Sequence, residues 1–130
     1  MRNAIFALGA LAVFAGSASA GPAGLAGSWS GEMRQIETNT EATYPMTLTF
    51  SGKGALADYP TLNCSGLWSK VTETNGYAVY AEKAVNRNGA TCVDGIVMVS
   101  LHQGRVFLGW FAAFDGAPTV ATAVLSKAAE

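Results

Sequence analysis

The sequence predicts an all-β protein, an antiparallel up-and-down meander of about eight strands forming a closed or nearly closed small barrel with one disulfide. Three observations predict it. Turn signals recur at intervals of roughly eight to fifteen residues, which is typical of β-sandwiches and barrels. The segments between them alternate along the chain, and no long stretch after residue 20 shows helical spacing. Charged residues make up only 13% of the chain, and glycine and aromatic residues are frequent.

Six turn signals divide the chain. Two of them, Asn75-Gly76 and Asn88-Gly89, favour type I′ hairpins, because both central residues of that turn need a positive φ. The six are SGKG at 51–54, YPTL at 59–62, TNG at 74–76, RNG at 87–89, HQG at 102–104 and DGAP at 115–118. Strands are therefore expected near 26–36, 42–51, 54–59, 63–71, 77–85, 92–101, 105–113 and 118–126.

The first three strands are defined by alternation and by the turns beside them. The first contains GSWSGEM, with Trp29 near its start. The second reads TYPMTLTFS, and period-two spacing puts every second residue from Tyr44 to Phe50 on one face. The third is a short segment between the turns at 51–54 and 59–62.

The remaining five strands follow the same rule. The fourth begins near Cys64, and the fifth lies between the two Asn-Gly turns. In the sixth, GIVMVSLH, every second residue from Val97 to Leu101 shares a face; in the seventh, RVFLGWFA, the same holds from Val106 to Trp110. The eighth, TVATAVLSKAA, is interpreted as a closing strand with a frayed tail.

A meander of eight strands can bond its last strand to its first, which removes both sheet edges. Eight strands also give an interior that is either filled or holds one small ligand. An open sandwich is the alternative. An outer-membrane barrel is disfavoured, because several strands are shorter than the about 9–11 residues it needs, and Thr and Ser lie opposite Tyr44 and Met46.

The first twenty residues predict a signal peptide. Arg2 supplies a positive start, AIFALGALAVFAG is apolar, and Ala18 to Ala20 have the small-x-small form of a cleavage site. We expect cleavage near Ala20, a single barrel domain over 21–130, and a periplasmic or secreted location. A membrane anchor is disfavoured by the short apolar stretch, and a lipid anchor by the lack of a cysteine at the cleavage point.

Cys64 and Cys92 are expected to form a disulfide, because exported chains meet an oxidising environment. The chain-entropy model gives a bridge of this span roughly 3.5 kcal/mol of stabilisation. Both cysteines precede strands that run in the same direction, so we expect a clasp across one barrel mouth, with at least one cysteine in a loop. A reactive thiol or metal site is disfavoured, because neither cysteine lies in a CxxC motif and the chain has one histidine.

Charge and motifs exclude several functions. Without Arg2, seven basic and nine acidic residues leave a net charge of about −2 and no basic stripe, so nucleic acid is not an expected partner. GSWSG carries Trp29 where a nucleophile elbow needs serine. His102 is interpreted as a turn residue. We therefore expect no enzyme activity, no cofactor and no metal.

Glu82 is the most informative polar residue. In YAVYAEKAV it shares a face with Tyr80, while Lys83 shares the opposite face, so one of these two charged side chains is expected to point inward. If that is Glu82, it needs a partner, for which Arg34 or a tyrosine hydroxyl are candidates. It then acts either as a buried structural plug or as an anchor for a polar or cationic ligand.

Further candidates for a ligand site or rim are Asp94, Trp68, Tyr80 and Trp110. The structural alternatives are a contact within a turn for Asp94 and packing in the core for the three aromatic residues. Trp29 is the candidate structural plug of one end.

Two resemblances add to this. Gly27-x-Trp29 on the first strand resembles the opening of lipocalins, avidins and other calycin barrels, where the tryptophan plugs one end. YPTLNCSG at 59–66, Glu82 and CVDG at 92–95 resemble a small bacterial extracytoplasmic β-domain of unassigned activity, which also occurs on the outer part of some actinobacterial serine/threonine kinases. That location implies sensing or binding.

We expect the protein to be a non-enzymatic exported binding module, which binds a small or extended ligand at the barrel mouth near the disulfide. The alternative is a secreted protein inhibitor of a hydrolase such as a protease or lysozyme. The protein is expected to be a monomer and not an integral membrane protein. A binding module should have a mouth cavity lined by aromatic residues, whereas an inhibitor should have a filled interior and a protruding loop.

Overall fold

Eight antiparallel strands form a closed barrel in which each strand pairs with the next and β8 pairs with β1. The structure, a computed structural model, describes residues 24–37, 40–52, 54–114 and 116–128. The strands are β1 Gly27–Glu37, β2 Thr40–Ser51, β3 Gly54–Tyr59, β4 Cys64–Glu73, β5 Ala78–Asn86, β6 Gly95–His102, β7 Arg105–Phe114 and β8 Ala117–Lys127. The predicted fold class is therefore confirmed, and the alternative of an open sandwich is wrong. The expected signal peptide lies outside the described residues.

The predicted strand bounds agree with the structure to within two residues, except before β6. Residues 92–94 were expected in that strand, but β6 begins at Gly95. The side chain of Asn86 bonds both backbone groups of Cys92, accepting from its N–H at 2.8 Å and donating to its C=O at 3.0 Å. Asp94 accepts from the backbone N–H of Ala84 at 2.8 Å. Side chains thus take the place of the sheet ladder here, and the segment leaves the sheet as a loop.

Asn88 and Gly89 have the positive φ values of a type I′ turn, whereas neither Asn75 nor Gly76 has a positive φ, so the prediction of a type I′ hairpin at Asn75-Gly76 is wrong.

The interior follows the period-two pattern. The residues predicted to share a face on β2, Tyr44 to Phe50, and on β7, Val106 to Trp110, are all buried. On β6, Val97 and Val99 are buried while Leu101 is half-buried. Several outward residues of β6 to β8 are apolar and exposed, whereas the outward faces of β1 and β2 carry mainly Ser and Thr. The apolar ones include Ile96, Met98, Phe107, Phe111 and Val124. Alternation therefore determines what fills the barrel.

Antiparallel order places the loops at two ends. The β3–β4 loop at 60–63 and the β5–β6 loop at 87–94 lie at one end, and the Cys64–Cys92 disulfide joins them. We call this end the disulfide mouth. Cys64 begins β4 and Cys92 lies in the β5–β6 loop, so the bridge spans the rim above β5, as predicted.

Trp29 lies at the opposite end, near the start of β1. It is 3% exposed, and its indole N–H donates to the carbonyl of Leu25 at 2.9 Å. The ammonium of Lys127 lies 4.7 Å from the centre of its ring and donates to the carbonyl of Ala26 at 2.7 Å. The segment before β1 and the end of β8 are therefore both held against this tryptophan.

Three aromatic rings pack together inside the barrel. Trp68 and Tyr80 have ring centres 5.3 Å apart, and Phe50 lies 6.2 Å from Trp68 and 6.0 Å from Tyr80. All three side chains are buried. Among the described residues, no helix has the length and apolar character needed to cross a membrane.

Candidate functional site

The disulfide mouth opens into a cavity of about 320 Å³. Its deeper walls are formed by inward side chains of six strands, and its rim mainly by the β5–β6 loop. The deeper residues include Met33, Tyr44, Tyr59, Glu82, Trp110 and Thr119, and the rim includes Leu62, Ser65 and residues 89–93. Three aromatic side chains and one carboxylate therefore face a space large enough for a small molecule.

Glu82 is the polar centre of this cavity. Its side chain is 5% exposed, and both carboxylate oxygens accept hydrogen bonds. Oε2 accepts from the hydroxyl of Tyr59 at 2.6 Å and from the indole N–H of Trp68 at 2.9 Å. Oε1 accepts from the indole N–H of Trp110 at 2.7 Å. An indole N–H can only donate, so this geometry is suited to an ionised carboxylate.

The barrel brings these three donors together from three different strands. Trp68 on β4 is the direct cross-strand partner of Glu82, and Gly95 on β6 is its partner on the other side. Tyr59 is the last residue of β3, and Trp110 lies on β7. The donors are therefore distant in sequence and meet only when the sheet is curved.

Two glycines leave the space that this network occupies. A Cβ at Gly66 would lie 2.5 Å from the Cδ atom of Glu82, and a Cβ at Gly95 would lie 2.5 Å from the Nε1 atom of Trp110. Both distances are too short for any side chain. Gly95 in particular allows the indole of Trp110 to reach across β6 to Glu82. These are the glycines of the CSG and CVDG segments.

No cationic side chain among the described residues forms an ion pair with Glu82. Arg34, one of the two candidate partners, pairs with Glu41 instead, so that prediction is wrong. The other candidate, a tyrosine hydroxyl, is confirmed by Tyr59. The ion pairs of the described residues are Arg34–Glu41 at 2.8 Å, Lys70–Glu73 at 2.6 Å and Arg87–Asp58 at 3.5 Å. Within the described part of the chain, Glu82 is also the one charged residue of the cavity lining.

The surroundings of Tyr59 favour its neutral form. Burial, followed by the nearby charge of Glu82 and the hydrogen bond to it, raises the pKa of the Tyr59 hydroxyl well above its usual value of 10.0. The hydroxyl therefore keeps its proton and remains a donor to the carboxylate throughout the neutral pH range.

The rim loop is held in place at several points. Besides the disulfide and the Asn86 contacts, the backbone N–H of Arg87 donates to the carbonyl of Asn63 at 3.0 Å. The guanidinium of Arg87 donates to the hydroxyl of Ser65 at 2.7 Å and pairs with Asp58. These contacts join the two rim loops, so the mouth has a defined shape.

The candidate residues named from the sequence separate into three places. Glu82 and Trp110 line the cavity, and Trp68 contacts Glu82 without lining the cavity. Tyr80 instead lines a second cavity of about 330 Å³ at the opposite end. Asp94 is exposed and bonds the backbone of β5, a cross-strand contact where a local turn contact was expected.

Sequence reasoning missed Tyr59, Tyr44, Met33 and Thr119 as cavity residues. Tyr59 was considered as the end of the third strand, as part of the YPTL turn and as part of the YPTLNCSG resemblance, but not as a cavity residue or by number as a donor to Glu82. Tyr44 was placed on the same face as Phe50 without a statement that this face points inward, and its hydroxyl donates to Gln35 at 2.6 Å. Thr119 lies on β8, where alternation from Ala121 and Ala123 points to the same inward face.

The second cavity has a different character. It contains the ion pair between Lys70 and Glu73 beside Phe50 and Tyr80. The hydrogen bond to Glu73 raises the pKa of Lys70, and burial raises the pKa of Tyr80. Because its charges are paired with each other, this cavity lacks the lone carboxylate that distinguishes the disulfide mouth.

In the part of the chain that the structure describes, no three His, Cys, Asp or Glu side chains are grouped so that they could hold a metal ion. No protein-family model, no curated protein and no solved structure matches this chain.

Proposed function

We propose that this protein is an exported, non-enzymatic binding module that takes its ligand into the cavity at the disulfide mouth. The observation that carries the proposal is the open cavity of about 320 Å³ in which three aromatic side chains surround one buried carboxylate. Small-molecule sites have this composition, mostly apolar walls with a few convergent polar groups. Export is supported by the signal-like N-terminus and by the disulfide.

The hollow mouth supports a binding module over a hydrolase inhibitor, for which a filled interior was expected. The fixed rim suits binding as well. A loop that is already held by a disulfide and by Asn86 loses little conformational entropy when a ligand binds.

Replacing Ala84 tests this proposal. Ala84 lines the cavity two residues beyond Glu82 on β5, so Ala84→Leu adds bulk inside the cavity without removing any contact of the carboxylate. A thermal-shift screen of the oxidised protein against metabolites, short glycans, lysozymes and proteases should find a small-molecule ligand. Ala84→Leu should weaken its binding at least tenfold, measured by isothermal titration calorimetry.

Ala81→Leu is the matched control, because Ala81 lies on the same strand with its side chain on the outer face. It should bind the ligand as the wild type does. Equal binding by both variants would contradict a site in the cavity. A screen in which only hydrolases bind, with no effect of Ala84→Leu, would replace the proposal with the inhibitor alternative.

A further inference from the structure

We infer that the ligand of the mouth cavity is a small organic cation, whose ammonium group lies against the aromatic wall and is held by Glu82. This inference rests on the proposed function and adds the chemical class of the ligand. It is carried by four features of the cavity: an unneutralised carboxylate, a free acceptor position, aromatic walls and a small volume.

The first feature is the charge of Glu82. Its three hydrogen-bond partners are all neutral, and no Lys, Arg or His among the described residues lines the cavity. A buried carboxylate without a counter-charge has lost its hydration, and three neutral donors replace the lost hydrogen bonds but supply no opposite charge. A cation entering the cavity supplies the missing counter-charge.

The second feature is an unused acceptor position. A carboxylate has about four lone-pair sites. Oε2 of Glu82 accepts from two donors, whereas Oε1 accepts from Trp110 alone. Among the contacts of the described residues, one acceptor position on Oε1 is therefore unused. An ammonium N–H can donate to it without displacing any contact that holds Glu82.

The third feature is the wall. The rings of Tyr44, Tyr59 and Trp110 are buried around the cavity, and a cation within about 6 Å of such a ring is attracted to its face. Arg87 at the rim does not oppose this, because its guanidinium is paired with Asp58 and bonded to Ser65. The positive charge of Arg87 is thus balanced by Asp58, whereas Glu82 inside the cavity has no counter-charge among the described residues.

The fourth feature is size. A volume of about 320 Å³ lies at the lower end of small-molecule sites, which are about 300–1,000 Å³. The cavity suits a protonated amine of metabolite size. A quaternary ammonium of that size has no N–H to donate and would be held by the charge of Glu82 and by the aromatic rings alone. A folded protein or a lipid with long chains does not fit inside it.

Shape-matched probes test the charge directly. Choline and 3,3-dimethylbutan-1-ol have nearly the same shape but differ in charge, as do phenethylamine at pH 7 and 2-phenylethanol; phenylacetate adds an anion. Each probe is titrated into the oxidised protein, and its dissociation constant is measured by calorimetry and by tryptophan fluorescence. Each cation should bind at least tenfold more tightly than its neutral counterpart. Phenylacetate should bind more weakly than either neutral probe.

Glu82→Gln should reduce the affinity for the cations at least tenfold and change that for the neutral probes less than threefold. The comparison of cation with neutral probe needs only the wild type, so it decides the inference even if Glu82→Gln does not fold. Equal or tighter binding of neutral or anionic probes, or no binding of either cation, would overturn the inference. If neutral probes bind and Ala84→Leu abolishes that binding, the cavity remains a ligand site and only the ligand class is wrong.

Discussion

Glu82 shows how one side chain can organise the interior of a small barrel. A glutamine at this position would offer a single acceptor oxygen to three converging donors, and one donor would lose its partner. A carboxylate satisfies all of them, and hydrogen bonds to a charged acceptor are about twice as strong as neutral ones. The same residue that completes the core therefore also carries the charge that faces the cavity.

Gly66→Ala should destabilise the protein by about 1–3 kcal/mol, because its new methyl group overlaps the Glu82 carboxylate and the buried network must shift. Urea unfolding followed by tryptophan fluorescence measures the change in free energy. Gly76→Ala is the control, since the nearest atom to a Cβ there, Oγ1 of Thr74, is 3.9 Å away. If Gly66→Ala lowers the free energy of unfolding no more than Gly76→Ala does, the tight packing of Gly66 against Glu82 does not contribute to stability.

At the scale of elements, the connection between β5 and β6 is the part of the barrel that shapes the mouth. Its last three residues leave the sheet, and the side chains of Asn86 and Asp94 bond the backbone instead. The disulfide then holds the loop to the start of β4. The rim is thus held by side-chain contacts to backbone, by the contacts of Arg87 with Asn63, Ser65 and Asp58, and by one covalent bond, while the rest of the barrel relies on the sheet ladder.

Replacing both cysteines by alanine should lower the free energy of unfolding by about 3–4 kcal/mol, since the bridge closes a loop with a sequence separation of 28 residues. Urea unfolding of the double variant and of the oxidised wild type gives the difference. The far-ultraviolet circular dichroism of the folded double variant should still be that of a β-barrel, because β1 to β8 remain paired. A difference below about 1 kcal/mol would contradict this role of the bridge.

At the scale of the whole molecule, the stability of the barrel should fall at alkaline pH. The folded state raises the pKa of Tyr59, Tyr80 and Lys70. A group whose pKa is higher in the folded than in the unfolded state stabilises the fold below its unfolded pKa, and this contribution is lost as the pH rises through the folded value. All three groups therefore act in the same direction, and the loss begins near pH 10.

Urea midpoints measured from pH 8 to 11 should be steady up to about pH 9 and should then decrease. Tyr59→Phe should show a smaller decrease than the wild type, because the most strongly shifted hydroxyl is gone, although it is less stable at pH 8. Tyr77→Phe, at an exposed tyrosine, should follow the wild-type profile. If the urea midpoint of Tyr59→Phe falls with rising pH as steeply as that of the wild type, Tyr59 does not carry the pH dependence.

Much of the site depended on features that a linear pattern cannot show. Alternation in β5 restricted the inward charge to Glu82 or Lys83 without deciding between them. The donors to Glu82 lie 23, 14 and 28 residues away in the chain, so only the closed barrel identifies them. Similarly, the early end of the sheet before Gly95 follows from the Asn86 and Asp94 contacts, which compete with strand pairing.

The sequence by itself determined the eight strands, the alternation of residues between their two faces and the disulfide, because turn signals, period-two spacing and cysteine pairing are expressed by neighbouring residues or by a single pair. Only the tertiary structure decided that the charge at 82 points inward, which donors bind it, and that the disulfide mouth is hollow. These depend on how strands far apart in the chain curve round a common axis, and on how much of the enclosed volume their side chains fill.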